Sequence, residues 1–192
     1  MGEMRSADAL AALQRGEPEG LEVLVAAHHL RALKIAFGIT RDYQAAEDIV
    51  AEAFVAVYRH AGELDSSQPV GPWITRVVVN ASISVVRRKG RENLARRALF
   101  WTNDPALDPA EVAAQNDTRQ RILHEIGQLP ARDRAVLISH YFHDCDVETM
   151  AASLGLPTGT VKSRLARARK RLRTRLMAQS FIEVPVIQRG DL

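Results

Sequence analysis

The stretch DVETMAASLGLPTGTVKSRLARARKRLRTR, residues 146–175, decides how the rest of the 192-residue chain is read. Met150, Ala151 and Leu154 place apolar side chains at helical spacing, and Gly155-Leu156-Pro157 then breaks the pattern. From Thr158 the period resumes, with Val161, Leu165, Ala168, Leu172 and Leu176 on one stripe. Around that stripe stand Lys162, Arg164, Arg167, Arg169, Lys170, Arg171, Arg173 and Arg175, with no acidic residue between Thr158 and Arg175 to offset them. A short helix, a glycine-containing turn and a second, basic helix form the helix-turn-helix pattern. In that motif the N-terminal turns of the second helix enter the major groove of DNA.

Upstream, residues 119–129 carry Ile122, Ile126 and Leu129 up to Pro130, and a further helix from about Ala131 carries Ala135, Val136, Ile138, Ser139 and Phe142. With the opening stretch these predict a compact four-helix module over 119–177, followed by an unassigned tail over 178–192. Residues 98–118 differ in character: Pro105 and Pro109, no arginine or lysine before Arg119, and Asp104, Asp108, Glu111 and Asp117. They read as an acidic, flexible linker, with Phe100 and Trp101 at its start expected to pack on the first domain.

The first half, residues 21–97, is a second helical module preceded by an N-terminal extension over 1–20 that holds a short helix near 6–15. A helix over 21–37 is expected to turn Leu24, Val25, His28, Leu33 and Phe37 along one side. The clearest helix runs from Tyr43 to His60, where Ala46, Ile49, Val50, Ala53, Phe54 and Val57 make a continuous apolar stripe. Off that stripe lie Asp48 and Glu52, like charges at i,i+4, an arrangement that costs a few tenths of a kcal/mol, about 0.2–0.5. A solvated acidic face and a surface for a basic partner both account for the pair. A loop over 63–72 leads into a helix beginning near Pro72, with Trp73, Ile74, Val77, Val78, Ala81 and Val85 inward. It ends in Arg87-Arg88-Lys89-Gly90-Arg91 and Arg96-Arg97, an excess of cations over Glu92 that exceeds what a helix C-terminus needs and points to phosphate contact. Asn80 and Ser84 lie one turn apart and could face a nucleic acid or the solvent.

Composition bounds the class. The formal charge is only +3 although the sequence pI is about 9.3, so local asymmetry carries the information. Aromatic residues make up 5% of the chain and strand signals are weak, which predicts an all-α protein of two small domains. The single cysteine, Cys145, excludes an internal disulfide and suits a reducing compartment. No apolar run approaches the ~20 residues of a membrane helix, and the N-terminus lacks the apolar block of a signal peptide. The expectation is a cytoplasmic protein without membrane insertion. His140, His143 and Cys145 lack the ligand number and spacing of a zinc site, and no nucleophile–base set or phosphate-binding glycine loop is present. No metal, cofactor or catalytic residue is expected.

Two modules joined by an acidic linker, read with three motifs, resemble the extracytoplasmic-function (ECF) class of bacterial sigma factors, small initiation subunits of RNA polymerase that keep regions two and four. The motifs are Ala46-Glu47-Asp48-Ile49-Val50-Ala51-Glu52-Ala53-Phe54; Trp73 with Asn80 and Arg87-Arg88; and Leu129-Pro130, Arg134 to Gly155, and Thr160-Val161-Lys162-Ser163-Arg164-Leu165-Ala166-Arg167-Ala168. The resemblance implies that Asp48, Ala51, Glu52 and Phe54 meet the clamp helices of core polymerase. It places Trp73, Asn80, Ser84, Arg87, Arg88, Lys89 and Arg91 at the −10 element, where DNA melts. Thr158, Thr160, Val161, Lys162, Ser163, Arg164 and Arg167 would read the −35 element, and the second domain would also touch the polymerase flap. It further implies promoter DNA and an anti-sigma factor as partners, and a monomer when free. The chain departs from the family pattern at Ala51 (Gln), Val70-Gly71 (Phe-Arg), Ser84 (Asp), the Leu-Pro-Thr-Gly turn and Thr149 (Glu), which implies a divergent −10 preference. A helix-turn-helix regulator acting alone explains 131–175 but not the acidic pair, the second basic block or the linker. A helical polymerase adaptor would lack promoter recognition, and an enzyme would need a catalytic set.

Overall fold

A computed structural model describes residues 6–99, 117–142 and 147–178. The linker interior, Phe100, Trp101, His143, Cys145 and the tail beyond residue 178 lie outside the described residues. Eight α-helices are found among those described, with no strand: α1 (Ser6–Gln14), α2 (Glu19–Thr40), α3 (Tyr43–His60), α4 (Val70–Leu99), α5 (Asp117–Gly127), α6 (Ala131–Phe142), α7 (Val147–Leu154) and α8 (Thr158–Ala178), with a 3₁₀ turn at Ala61–Glu63.

The α3 stripe is buried as its spacing demands: Ala46, Ile49, Val50, Ala53, Phe54 and Val57 all face the core. Asp42 starts this helix, its Oδ1 accepting the Ala45 N–H at 3.0 Å and satisfying an otherwise orphaned donor. That bond, with Lys89 beside it, holds the Asp42 carboxyl below the usual range. α2 is the central helix, contacting α1, α3, α4 and α6. These contacts account for its apolar character, which by length and composition alone would suffice to cross a membrane. Its buried face is Leu24, Ala32, Ile35, Ala36 and Ile39, whereas Phe37 is exposed against the edge of Tyr43. Of the expected side, Leu24 is buried, Val25 and Leu33 pack against the core and His28 is half-buried; Phe37 falls outside because α2 meets neighbours on several sides, which blurs a single stripe.

α4 begins at Val70, two residues before Pro72, and continues through the basic block to Leu99. Val70, Ile74, Val78 and Val79 are buried and Trp73 is half-buried. α1 is part of the fold: Leu10 and Leu13 are buried, and the Gln14 amide donates to the carbonyls of Ala61 and Leu64 at 2.9 and 2.7 Å.

In the second domain Val161, Leu165, Ala168, Leu172 and Leu176 are the buried face of α8, as their spacing predicts. Gly155 takes φ +61°, the left-handed turn that ends α7 and lets the Leu156 N–H reach the Ala151 carbonyl at 3.0 Å. Glu125 is 1% exposed, and the Arg175 Nε donates to its Oε2 at 2.6 Å, tying α5 to α8. The two domains pack on each other. α6 lies on α2 and α4, and α7 lies on α4, so the two cores form one continuous apolar cluster.

Candidate nucleic-acid interface

The basic residues of α8 divide into two groups. Arg169 donates toward His140 Nε2 at 3.0 Å and lies over the Tyr141 ring, Arg171 pairs with Asp133, and Arg175 pairs with Glu125. These three hold α8 to α5 and α6. The sequence reading saw no acid near them because their partners lie 38 and 50 residues away along the chain. Lys162, Arg167, Lys170 and Arg173 stay exposed and Arg164 half-exposed, giving α8 a positive outer face. Near its start Thr158 and Thr160 are half-exposed and Ser163 is exposed, its hydroxyl bonded to the Thr160 carbonyl at 3.0 Å. Lys162 stands 3.7 Å from Glu148 of α7, a loose surface contact. Val161, expected among the groove-reading residues, is 0% exposed. Its place is the core stripe of α8, so it positions the helix and cannot reach a base.

On α4 the side chains of Asn80, Ser84, Arg87, Arg88, Lys89 and Arg91 are exposed, and Trp73 is half-buried beside the His60 ring at a centroid distance of 6.4 Å. Asn80, Ser84, Arg87 and Arg91 follow one another at i, i+4, i+7 and i+11, so one helical face carries them. Lys89 is drawn off that set, because its ammonium bonds Asp42 at the start of α3.

On α3, Asp48, Ala51 and Glu52 are exposed, while Phe54 is 6% exposed and stacks on His29 at 6.4 Å between centroids. Phe54 therefore belongs to the core, not to a docking surface: it is part of the same stripe that buries Val50 and Val57. The exposed face also holds Val55, 46% exposed, and Tyr58, 59% exposed. Both were missed in the sequence. Two large apolar residues off a complete buried stripe were the signal that pointed to them.

The ends of the two basic surfaces meet. Arg87 from α4, Pro130, Ala131, Arg132 and Asp133 from the first turn of α6, and Arg164, Arg167 and Arg171 from α8 line one cavity of about 400 Å³. Among the described residues no cluster of His, Cys, Asp and Glu is arranged to hold a metal ion.

A helix-turn-helix domain whose second helix has a positive outer face, packed on a second helical domain with its own basic face, is the architecture of a DNA-binding protein. The family description Sigma-70 region 2 matches residues 24–92, and Sigma-70, region 4 matches residues 119–172. The ECF RNA polymerase sigma factor RpoE of Cereibacter sphaeroides is 32% identical over 129 residues, covering 67% of this chain and 70% of the relative. SigL of Mycobacterium tuberculosis is 31% identical over 144 residues, covering 74% and 81%. The same fold is seen in the structure of CnrH in complex with the cytosolic domain of CnrY, with a TM-score of 0.65 and 23% identity over 90% of this chain and 97% of that one. It is seen again in the sigma factor RpoE in complex with the anti-sigma factor NepR from Bartonella quintana, with a TM-score of 0.58 and 24% identity over 80% and 93%. The chain belongs to the extracytoplasmic-function class of RNA polymerase sigma factors. It is an alternative sigma factor that binds core RNA polymerase and promoter DNA and directs promoter-specific transcription initiation.

Proposed function

We propose that the three exposed surfaces divide the work of initiation residue by residue. The outer face of α3, with Asp48, Ala51 and Glu52 and extended by Val55 and Tyr58, docks on the polymerase clamp helices. An acidic pair flanked by apolar side chains offers charge for steering and apolar area for affinity. Asn80 and Ser84 on α4, with the half-buried Trp73, face the −10 element, and Arg87, Arg88 and Arg91 hold its phosphates. Lys89 joins them only by releasing Asp42. Thr158, Thr160, Lys162, Ser163, Arg164 and Arg167 read the −35 element from the first turns of α8, and the second domain also meets the flap.

The residues 21–97 and 119–177 form the two working domains, and 98–118 connects them. The protein acts as a non-catalytic subunit, in the cytoplasm where polymerase works. Because the Bartonella quintana relative is seen in complex with an anti-sigma factor, an anti-sigma factor is the expected additional partner.

The observation that carries the polymerase assignment is the exposure of Asp48 and Glu52 beside Val55 and Tyr58 on a helix whose other face is fully buried. Replacing both acids by alanine (Asp48→Ala with Glu52→Ala) is expected to weaken binding to core polymerase at least tenfold, with helicity and melting temperature preserved. Equal affinity in a titration against core enzyme would refute the assignment.

A further inference from the structure

We propose that the cavity between the two domains is a binding site for a small polyphosphate, a free anion of two or three linked phosphate groups, whose binding holds the domains together. Five arginines and one aspartate line it. The aspartate, Asp133, is already bonded to Arg171, so Arg87, Arg132, Arg164 and Arg167 share the space with no other carboxylate lining it among the described residues. Guanidinium groups from three helices converging on one cavity repel one another, and a multivalent anion between them turns that repulsion into attraction. Their planar forks match phosphate oxygens two at a time. Ala131 and Arg132, just after Pro130, add the first turn of α6, where backbone N–H groups and the positive end of the helix dipole favour an anion.

Size selects the class of anion. About 400 Å³ lies in the range of small-ligand pockets, roughly 300–1,000 Å³. It does not admit a duplex. The −10 and −35 elements are centred roughly 25 base pairs apart, or about 85 Å of helix, yet Arg87 and Arg164 border the same cavity. A promoter cannot engage both residues in this arrangement, whereas a single di- or triphosphate can. The competition with promoter that follows rests on the DNA contacts proposed above; the anion site itself does not.

The experiment titrates sodium tripolyphosphate into the full-length protein by calorimetry at fixed ionic strength, with sulfate as the matched control, and follows the radius of gyration by small-angle scattering. The expected result is one equivalent bound, at least tenfold tighter than sulfate, with a decrease in radius of gyration. Arg132→Ala, which leaves every proposed promoter contact in place, is expected to weaken binding at least tenfold while the circular dichroism spectrum is unchanged, and Arg132→Lys to recover part of the loss. Binding of several equivalents, equal binding of sulfate, or an unchanged affinity in Arg132→Ala would overturn the site. Promoter-specific transcription by Arg132→Ala with core polymerase is read in parallel. It is expected to be retained, and its loss would assign Arg132 to promoter or polymerase binding and overturn its place in a separate anion site.

Discussion

Gly38 offers a test in which two effects of one methyl group have opposite signs. The residue lies near the C-terminal end of α2, where that helix meets α6 of the other domain. A methyl on Gly38 would stand 3.0 Å from both Cδ1 and Cγ2 of Ile138, which is 1% exposed and has little room to retreat. Overpacking of this kind costs about 1–3 kcal/mol. Within α2 the same change is favourable, because alanine exceeds glycine in helix propensity by roughly 0.8–1.0 kcal/mol. Gly38→Ala should therefore stabilise the first domain itself by up to about 1 kcal/mol and weaken its docking to the second by about 1–3 kcal/mol, a shift of roughly 5- to 150-fold in the closed-to-open ratio.

The two contributions separate in a double-mutant cycle. Ile138→Ala removes the atoms that the new methyl would strike, so Gly38→Ala in that background should keep its helix gain and lose its docking cost. Small-angle scattering reads the docking equilibrium and thermal unfolding reads the helix. If Gly38→Ala leaves the radius of gyration unchanged, or expands the protein equally with and without Ile138, then the Gly38–Ile138 contact is not what holds the domains together.

Arg175→Ala would leave the carboxylate of Glu125 buried without its guanidinium. Breaking such a pair costs about 3–5 kcal/mol, and because the Arg175 side chain is 41% exposed water can enter, so the lower end is expected in urea unfolding. Burial, reinforced by the charge of Arg31, lowers the His28 pKa, so the unfolded chain takes up this proton first as pH falls. Stability should therefore decline as pH drops through about 6.5 and level off below the folded value. The decline should be shallower in His28→Asn, and an NMR titration of His28 at or above the free value would refute the cause. Arg164→Ala should lower discrimination among −35 variants by ~1–3 kcal/mol if its guanidinium reads a base edge, whereas a uniform loss across variants would assign it to phosphate.

Periodicity was enough to find α3 and α8, because each has a single buried face set against solvent: every residue of both predicted stripes is buried. It was not enough for α2, whose contacts with four other helices spread its apolar residues around the cylinder. The same limit explains two site residues. Phe54 and Val161 lie inside motifs that carry the family resemblance, but motif membership does not distinguish a side chain that touches a partner from one that aims its neighbours. Burial makes that distinction, and burial depends on helices far away in sequence. Charge behaved in the same way. The run Arg169-Lys170-Arg171 has no acidic residue beside it in the sequence, yet Arg169 and Arg171 are taken by His140 and Asp133 on α6.

The contact between the domains is where opposing terms are most evenly matched. Ile138 against Gly38 and the shared apolar cluster favour docking. Arg134 opposes it: the residue is 7% exposed, its Nε has no partner among the described residues, and burial followed by the charge of Arg41 across the interface makes its guanidinium a weaker base than usual. Arg41 is itself held in the left-handed region at φ 58°, bonded to the Leu123 carbonyl of α5. That backbone conformation is the C-cap of α2, held by the Arg41 N–H bonded to the Phe37 carbonyl at 2.8 Å, and it aims the Arg41 side chain at α5. Apolar burial thus pulls the domains together while like charges at Arg41 and Arg134, and again around Arg87 and Arg164, push them apart. A balance of that kind is moved by whatever binds the cations. On the contacts proposed above, promoter phosphates engaging the two surfaces separately would favour the open form, and a compact anion engaging them together would favour the closed one.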